Sequence, residues 1–483
     1  MKDGAYGYDS YLSPFTWRYG SEEMRKLFSE RQRRATWRRV WLSLAEAEAG
    51  LGLISSKELG AIRKSAGGGM VDIARAHEIE KTIKHDLMAE LRVFADQAKE
   101  GGGKLHLGAT SMDIEDNADV MIFSKALGLV TERLVSFLDA AAARVRQHKG
   151  LVCMGWTHLQ PAEPTTMGYR FANYAQDIVL DIKLIDTLRK EFLKGKGVKG
   201  AVGTSASYRK LLGSSAKVKR LEEEVMSGLG LGYFDVTTQT YPRKLDYLVL
   251  TALASVAASC AKFGLDVRVL QSPTFVELSE PIEESQVGSS AMPFKRNPVT
   301  AERMCSLARV VSVMPLVAFM NASNSILERT LDDSAARRIA IPEAFLAVDE
   351  CLAIYERLMR GLRVYPAMIR KNLERFGAFA GTEAVMMELA EKGEDRQKLH
   401  ERIRVKSFAA WESVMRAEPN PLERLLTEDK VIASKLTRKR LKLLLDPSTH
   451  TGDAEESCEE FLKEVVSPTL EGHKKARQSR VEY

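Results

Sequence analysis

Helical periodicity over long stretches constrains this chain more than any other feature. Phe171, Tyr174, Ala175, Ile178, Ile182 and Ile185 recur at three- and four-residue spacings, which predicts a long amphipathic helix over about 165–192. Gly195 to Gly203 then break it. A second apolar segment runs from about Arg243 to Leu270 and is stopped by Pro273. A third follows Pro298 to about Ala322, and a fourth runs from about Pro342 to Leu362 with Phe345, Leu346, Val348, Leu352 and Tyr355 on one side. Helices of this length, nearly free of internal proline, predict an elongated bundle. β patterning is almost absent, so the expected fold class is all-α.

A chain of 483 residues has room for roughly three domains. Shorter helical segments over about 34–51 and 56–65 end at two triple-glycine breaks, at 67–69 and 101–103, which suggests an N-terminal helical domain over 1–109. The long helices make a central bundle over 110–364. Compact capped helices after Tyr365-Pro366 make a third domain over 365–483. On the third long helix, Val310, Val311, Val313, Met314, Leu316, Val317, Phe319 and Met320 spread beyond one face. Either a single large bundle buries them or further copies of the chain do.

Bulk composition narrows the partners. The formal net charge of +6 is mild for this length and is scattered along the chain, so nucleic-acid binding is not indicated. Lys474, Lys475, Arg477 and Arg480 read as a solvated basic terminus. The five cysteines are far apart and form no Cys-x-x-Cys pair, which suits a reducing compartment. No signal-like apolar segment occurs in Met1–Ser21, and no run of about 18 uncharged apolar residues suggests a membrane span. A soluble cytoplasmic protein is expected. Gly228, Gly230 and Gly232 imitate a dinucleotide loop, but Tyr233 stands where the last glycine belongs and no strand precedes it. No zinc-type His-Glu-x-x-His occurs and the eight histidines are dispersed, so neither a cofactor nor a metal is expected.

The segment Gly288 to Pro298, Gly-Ser-Ser-Ala-Met-Pro-Phe-Lys-Arg-Asn-Pro, concentrates the chemistry. Glycine and paired serines favour a loop, Lys295 supplies a cation, and Asn297 reads as an N-cap before Pro298 at the first helical position. The positive end of the helix that follows would add to Lys295 and favour an anion or a developing oxyanion.

That segment resembles the signature of the fumarase, aspartase and argininosuccinate lyase superfamily. Four further segments, Lys84 to Ala89, His106 to Ser111, Thr157 to Ala162 and Leu327 to Ser334, resemble the adenylosuccinate lyase family within it. The similarity runs from Arg18-Tyr19 to Leu444-Leu445-Asp446-Pro447-Ser448, nearly the whole chain. The resemblance implies β-elimination of fumarate from adenylosuccinate to give AMP, and from the succinylated aminoimidazole carboxamide ribotide of purine synthesis, without a cofactor. It implies a homotetramer whose long helices share one core and whose active sites each take segments from three chains.

The resemblance also implies residue roles. Ser289 matches the catalytic base, a hydroxyl whose alkoxide must be stabilised by donors and cations such as Lys295 and Asn297. His158 matches the general acid for the leaving nitrogen, and His85 supports it near the substrate, with Asp86 beside it. Thr110 and Ser111 would hold the succinyl carboxylate. Arg18, Tyr19, Gln239, Arg303, Arg329, Ser334 and Arg338 match substrate-binding positions, the arginines suited to phosphate and carboxylate by their planar fork. Lys84 departs from the arginine common at its position and keeps the charge without the fork. Argininosuccinate lyase or carboxymuconate cycloisomerase chemistry, and a non-catalytic helical scaffold, stand as alternatives; fumarate release from each substrate separates them.

Overall fold

The computed structural model describes residues 9–282 and 291–481, with side chains as far as Lys474. It is mostly helical. The elements that matter here are α1 (Glu30–Gly50), α2 (Ile73–Ile83), α3 (Asp86–Ala98), α4 (Ser111–His148), β1 (Val152–Thr157), β2 (Gln160–Thr166), α5 (Met167–Thr187), α6 (Lys244–Leu270), α7 (Val299–Ser323), α8 (Asp332–Gly361) and α9 (Arg396–Met415).

Local chemistry explains where these helices begin. Ser29 caps α1 by accepting from the Gln32 N–H, and Asp395 caps α9 by accepting from the N–H groups of Gln397 and Lys398. α8 starts ten residues before Pro342, where the sequence places a helix start, and Pro342 lies inside it. Two aspartates, Asp332 and Asp333, in its first turn favour the earlier start, and the proline interrupts the hydrogen-bond ladder without ending it. Pro315 lies inside α7 in the same way.

Two compact units are formed. The first comprises residues 1–134, 181–260 and 306–353. Its core gathers Trp37, Trp41, Leu44, Leu87, Phe94 and Tyr208, and α1 packs against the helix Ser215–Leu229. The second comprises residues 135–180, 261–305 and 354–483. One of its clusters, around Val385, Leu399, Leu422 and Leu441, lies among the C-terminal helices. Another centres on tilted and edge-on rings, with Tyr355 4.6 Å and Tyr174 5.1 Å from Phe263 between ring centroids.

The all-α expectation misses two small antiparallel pairs, β1 with β2 and β3 (Leu278–Ser279) with β4 (Arg363–Val364). β1–β2 forms in a segment with no period-two alternation and with two prolines in its second strand. Its stem is held by Glu277, a buried carboxylate that accepts from Trp156 Nε1 at 3.1 Å and from Arg170 at 2.8 Å. Gly155 sits at the irregularity in the pairing, where a Cβ would come within 2.5 Å of the Glu163 carbonyl oxygen.

α6 and α7 are each long and apolar enough to cross a membrane by length and composition, whereas the sequence reading expected no such segment. The difference arises because a few charged residues interrupt the apolar run without lowering its mean enough. α6 is mostly buried: Asp246 binds Arg337, and Asp266 accepts from the Tyr174 hydroxyl at 2.8 Å. α7 is less covered, with Val313, Leu316, Phe319 and Met320 each more than half exposed.

Candidate active site

The first unit builds a cleft of about 490 Å³, in the range that takes a small-molecule ligand. Lys84, His85, Asp86, Thr110 and Ser111 line one part of it, and Gln239, Arg329, Ser334 and Arg338 line another. Nine of the residues singled out in the sequence are thus brought together from segments more than 200 residues apart.

The junction between α2 and α3 presents the first group. Lys84 ends α2 in the left-handed conformation (φ 56°, ψ 37°), which turns the chain sharply, and His85 is the N-cap of α3. The Met88 N–H donates to His85 Nδ1 at 3.4 Å, so in the neutral ring the proton sits on Nε2. Nε2 faces Ser111 Oγ at 3.3 Å. Asp86 accepts from Arg338 Nη2 at 2.6 Å and from the Leu87 N–H at 2.8 Å. Burial pushes the Asp86 carboxyl up, but Arg338 outweighs it and holds the group below the usual carboxylate range.

The start of α4 presents the second group. Thr110 is followed three residues on by Asp113, whose carboxylate accepts the Thr110 N–H at 2.9 Å, half of a capping box. Asp113 is fully buried and also takes Lys196 Nζ, the Lys199 N–H at 3.0 Å and the Gly200 N–H at 3.1 Å. A carboxylate this saturated pins Thr110 and Ser111 to the glycine-rich loop at 195–203.

The arginine side of the cleft rests on a buried charge network. Arg329 donates to Asp333 Oδ1 at 2.7 Å, and Asp333 Oδ2 accepts from Arg243 Nε at 2.6 Å. Arg243 continues to Asp116 on α4 at 2.9 Å. Beside it Arg337 binds Asp246 at 2.7 Å, Asp119 at 2.8 Å and the Tyr241 hydroxyl at 2.7 Å. Asp116, Arg243 and Arg337 lie outside the sequence motifs, and Asp333 lies within one without a local signal for this pairing. His106 opens a motif segment whose sequence assigns it no chemistry. It has φ 64°, and Trp41 Nε1, which can only donate, bonds to its Nδ1 at 3.0 Å, leaving the ring proton on Nε2. Burial pushes the His106 imidazole below its ordinary value.

The remaining sequence-predicted residues lie elsewhere. Arg18 and Tyr19 belong to the first unit but do not line the cleft; the Arg18 guanidinium lies 5.6 Å and 5.8 Å from the ring centroids of Trp17 and Tyr19. The second unit carries His158, Lys295, Asn297 and Arg303. His158 and Leu159 form the two-residue turn between β1 and β2, with φ 54° and 60°. Positive φ at both positions is the pattern of a type I′ turn, which glycine or asparagine adopts at lower cost, and it leaves His158 exposed. Lys295 and Arg303 are exposed. Gly288, Ser289 and Ser290 lie outside the described residues. Among the described residues no cluster of His, Cys, Asp and Glu could hold a metal ion.

One expectation about α7 changes. Its first N–H groups are not left for an anion: the buried Glu280 carboxylate accepts from Thr300 at 3.2 Å and from Ala301. A carboxylate from twenty residues upstream completes the helix start, which the local Asn297-Pro298 pattern could not reveal.

Comparison with known proteins adds the chemistry. A lyase family description matches residues 18–312, and a second, "Adenylosuccinate lyase C-terminus", matches residues 379–461. The chain is 39% identical to the adenylosuccinate lyase of Saccharomyces cerevisiae over 97% of both proteins. It is 38% identical to that of Schistosoma mansoni over 97% of both. With the adenylosuccinate lyase of Pyrococcus horikoshii it shares 36%, over 94% of this chain and 98% of the relative. Among solved structures, a fumarate lyase from Mesorhizobium sp. BNC1 superposes with a TM-score of 0.81 at 25% identity, over 96% of this chain and all of the other. The 3-carboxy-cis,cis-muconate lactonizing enzyme of Pseudomonas putida shares the fold with a TM-score of 0.82 at 24% identity, over 95% and 99%.

Proposed function

The chain belongs to the adenylosuccinate lyase family, and from that membership we infer that it cleaves adenylosuccinate to AMP and fumarate and acts likewise on the succinylated aminoimidazole carboxamide ribotide. It is a carbon–nitrogen lyase. The observation that carries the substrate reading is the full-length identity to three adenylosuccinate lyases. The cleft supports it, because it offers a hydroxyl–imidazole pair beside a cluster of arginines, chemistry suited to a substrate with carboxylates at one end and a phosphate at the other.

The elimination removes a weakly acidic proton next to a carboxylate. Ser289 is the base, and its alkoxide and the dianionic intermediate draw on Lys295 and Asn297. His158 donates a proton to the departing nitrogen, and its place at an exposed turn suits a group that must meet substrate. His85, with its Nε2 proton aimed at Ser111, orients that hydroxyl toward the succinyl group, and Thr110 adds a second donor. Asp86, Gln239, Arg303, Arg329, Ser334 and Arg338 hold the nucleotide, Arg338 being exchanged from Asp86 to the phosphate. Lys84 supplies charge to the same region.

Arg18 and Tyr19 clamp the phosphate. Arg18→Ala is expected to raise KM at least about tenfold, the worth of one charge-assisted hydrogen bond, with little change in kcat. A fall confined to kcat in steady-state assays would remove Arg18 from the clamp.

The active form is a homotetramer with shared sites. Support comes from α7, where Val313, Leu316 and Met320 recur along one side and stay exposed in the single chain. Two acidic substitutions together, Val313→Glu with Leu316→Glu, should shift the assembly to smaller species in sedimentation velocity. An unchanged tetramer in the double variant would place the interface elsewhere. The whole reading is tested by fumarate release: purified protein should produce fumarate and AMP from adenylosuccinate, and no product would reject it.

A further inference from the structure

Beside the cleft the first unit forms a smaller, partly open pocket of about 140 Å³. The two share Arg329, Ser334 and Arg338, and both are also lined by Glu115. Glu115 stands on α4, one turn beyond Ser111, and its carboxyl makes no hydrogen bond among the described residues. The smaller pocket is also lined by Trp37 and Arg33, whose buried Nε1–H and Nε–H groups have no acceptor among the described residues. Glu115 is half-buried, so its carboxyl stands open to the cleft and to the smaller pocket at once, beside the arginines that take the anion.

We propose that Glu115 tunes the cleft's affinity for an anionic group, acting as a neutral acid that donates its O–H toward the anion and becoming, once ionised, a competitor for Arg338. This rests on the reading that Arg329, Ser334 and Arg338 bind the nucleotide's phosphate. The surroundings make the neutral form available. Burial pushes the Glu115 carboxyl up to about 8, the Asp86 and Asp119 carboxylates push in the same direction, and Arg338 opposes them. Asp116, from the same helix, adds to the upward push. Arg33 of α1 and Arg337 of α8 also line the smaller pocket, while Glu80, Lys84 and His85 line the cleft. As the pH rises through that value Glu115 loses its proton, a negative charge appears beside Arg338, and the anion meets one repulsive neighbour more and one donor fewer.

The test uses AMP, whose phosphate is already doubly ionised across the range chosen. Calorimetric titration of the whole protein with AMP from pH 7.0 to 9.5 should show Kd rising about tenfold, the scale of one added unit charge near the site. In Glu115→Gln, fixed in the neutral state, that rise should be absent. Should the variant fold poorly, wild-type protein alone suffices: at pH 8, AMP binding should take up roughly half a proton, seen as heats that differ between buffers of different ionisation enthalpy. The same Kd profile in wild type and Glu115→Gln, or binding without proton uptake, overturns the proposal. Tight AMP binding with no turnover of adenylosuccinate would sink the functional reading and leave this proposal to stand or fall on the Kd profile. No AMP binding at any pH would sink both.

Discussion

Ser289→Ala is expected to lower kcat for adenylosuccinate at least about a hundredfold, the lower end for removal of a general base, while the protein still folds and assembles. The reason is chemical. The proton beside the carboxylate is weakly acidic, and alanine offers no oxygen to accept it. Water can reach the carbon but cannot be held at the serine's position, so the loss should fall on kcat more than on KM. His158→Gln should cost a similar factor by a different route, because glutamine keeps a donor at the hairpin turn but cannot give up its proton as a general acid. The pair can be told apart by substrate. An analogue with a better leaving group than the purine amine should restore part of the rate to His158→Gln and none to Ser289→Ala. Near wild-type fumarate production by either variant, followed as an absorbance change, would strike that residue from the mechanism.

The second large effect concerns stability. Arg243→Leu should destabilise the fold by about 3–5 kcal/mol, because it leaves the Asp116 and Asp333 carboxylates buried without their shared cation. Against a typical total of about 5–15 kcal/mol, that is enough to unfold much of the protein on mild heating. The same change should loosen Arg329, which Asp333 holds in the cleft, so KM should rise even where the variant stays folded. The pH dependence has a definite sign. Burial pushes the Asp333 carboxyl up, yet Arg243, Arg329 and Arg337 together hold it below the ordinary value. Its contribution is therefore present above the unfolded carboxylate's range and is lost as the pH falls through the lowered native value. Urea midpoints of wild type and variant should converge at strongly acid pH. A difference below about 1 kcal/mol at pH 7 would mean the network is not what orders this region.

The long helices were legible because their signal is local. Apolar residues at three- and four-residue spacing mark α5, α6 and α7 to within a few residues of their ends, and the Asn297-Pro298 pair marks where α7 begins. The hairpin that carries His158 was not legible. Its strands lack alternation, its turn is His-Leu where an Asn-Gly would have announced it, and its stem is secured by Glu277, more than a hundred residues away. The start of α8 was misplaced because Pro342 reads as a beginning, whereas two aspartates ten residues earlier provide one.

Within the cleft, the motif segments marked groups that can do chemistry: the hydroxyls of Thr110 and Ser111, the His85 imidazole, and the guanidinium groups of Arg329 and Arg338. They could not show that Arg338 is held by Asp86, that Asp333 joins Arg329 to Arg243, or that Glu115 lines two cavities at once. The sequence by itself determined the helical class, the family and the inventory of reactive side chains, because periodicity and short motifs are written in neighbouring residues. Only the tertiary structure decided which carboxylate meets which guanidinium and which acid is pressed toward its neutral form. Charges interact through space, and groups 90 to 250 positions apart along the chain become partners only after folding has excluded the water between them.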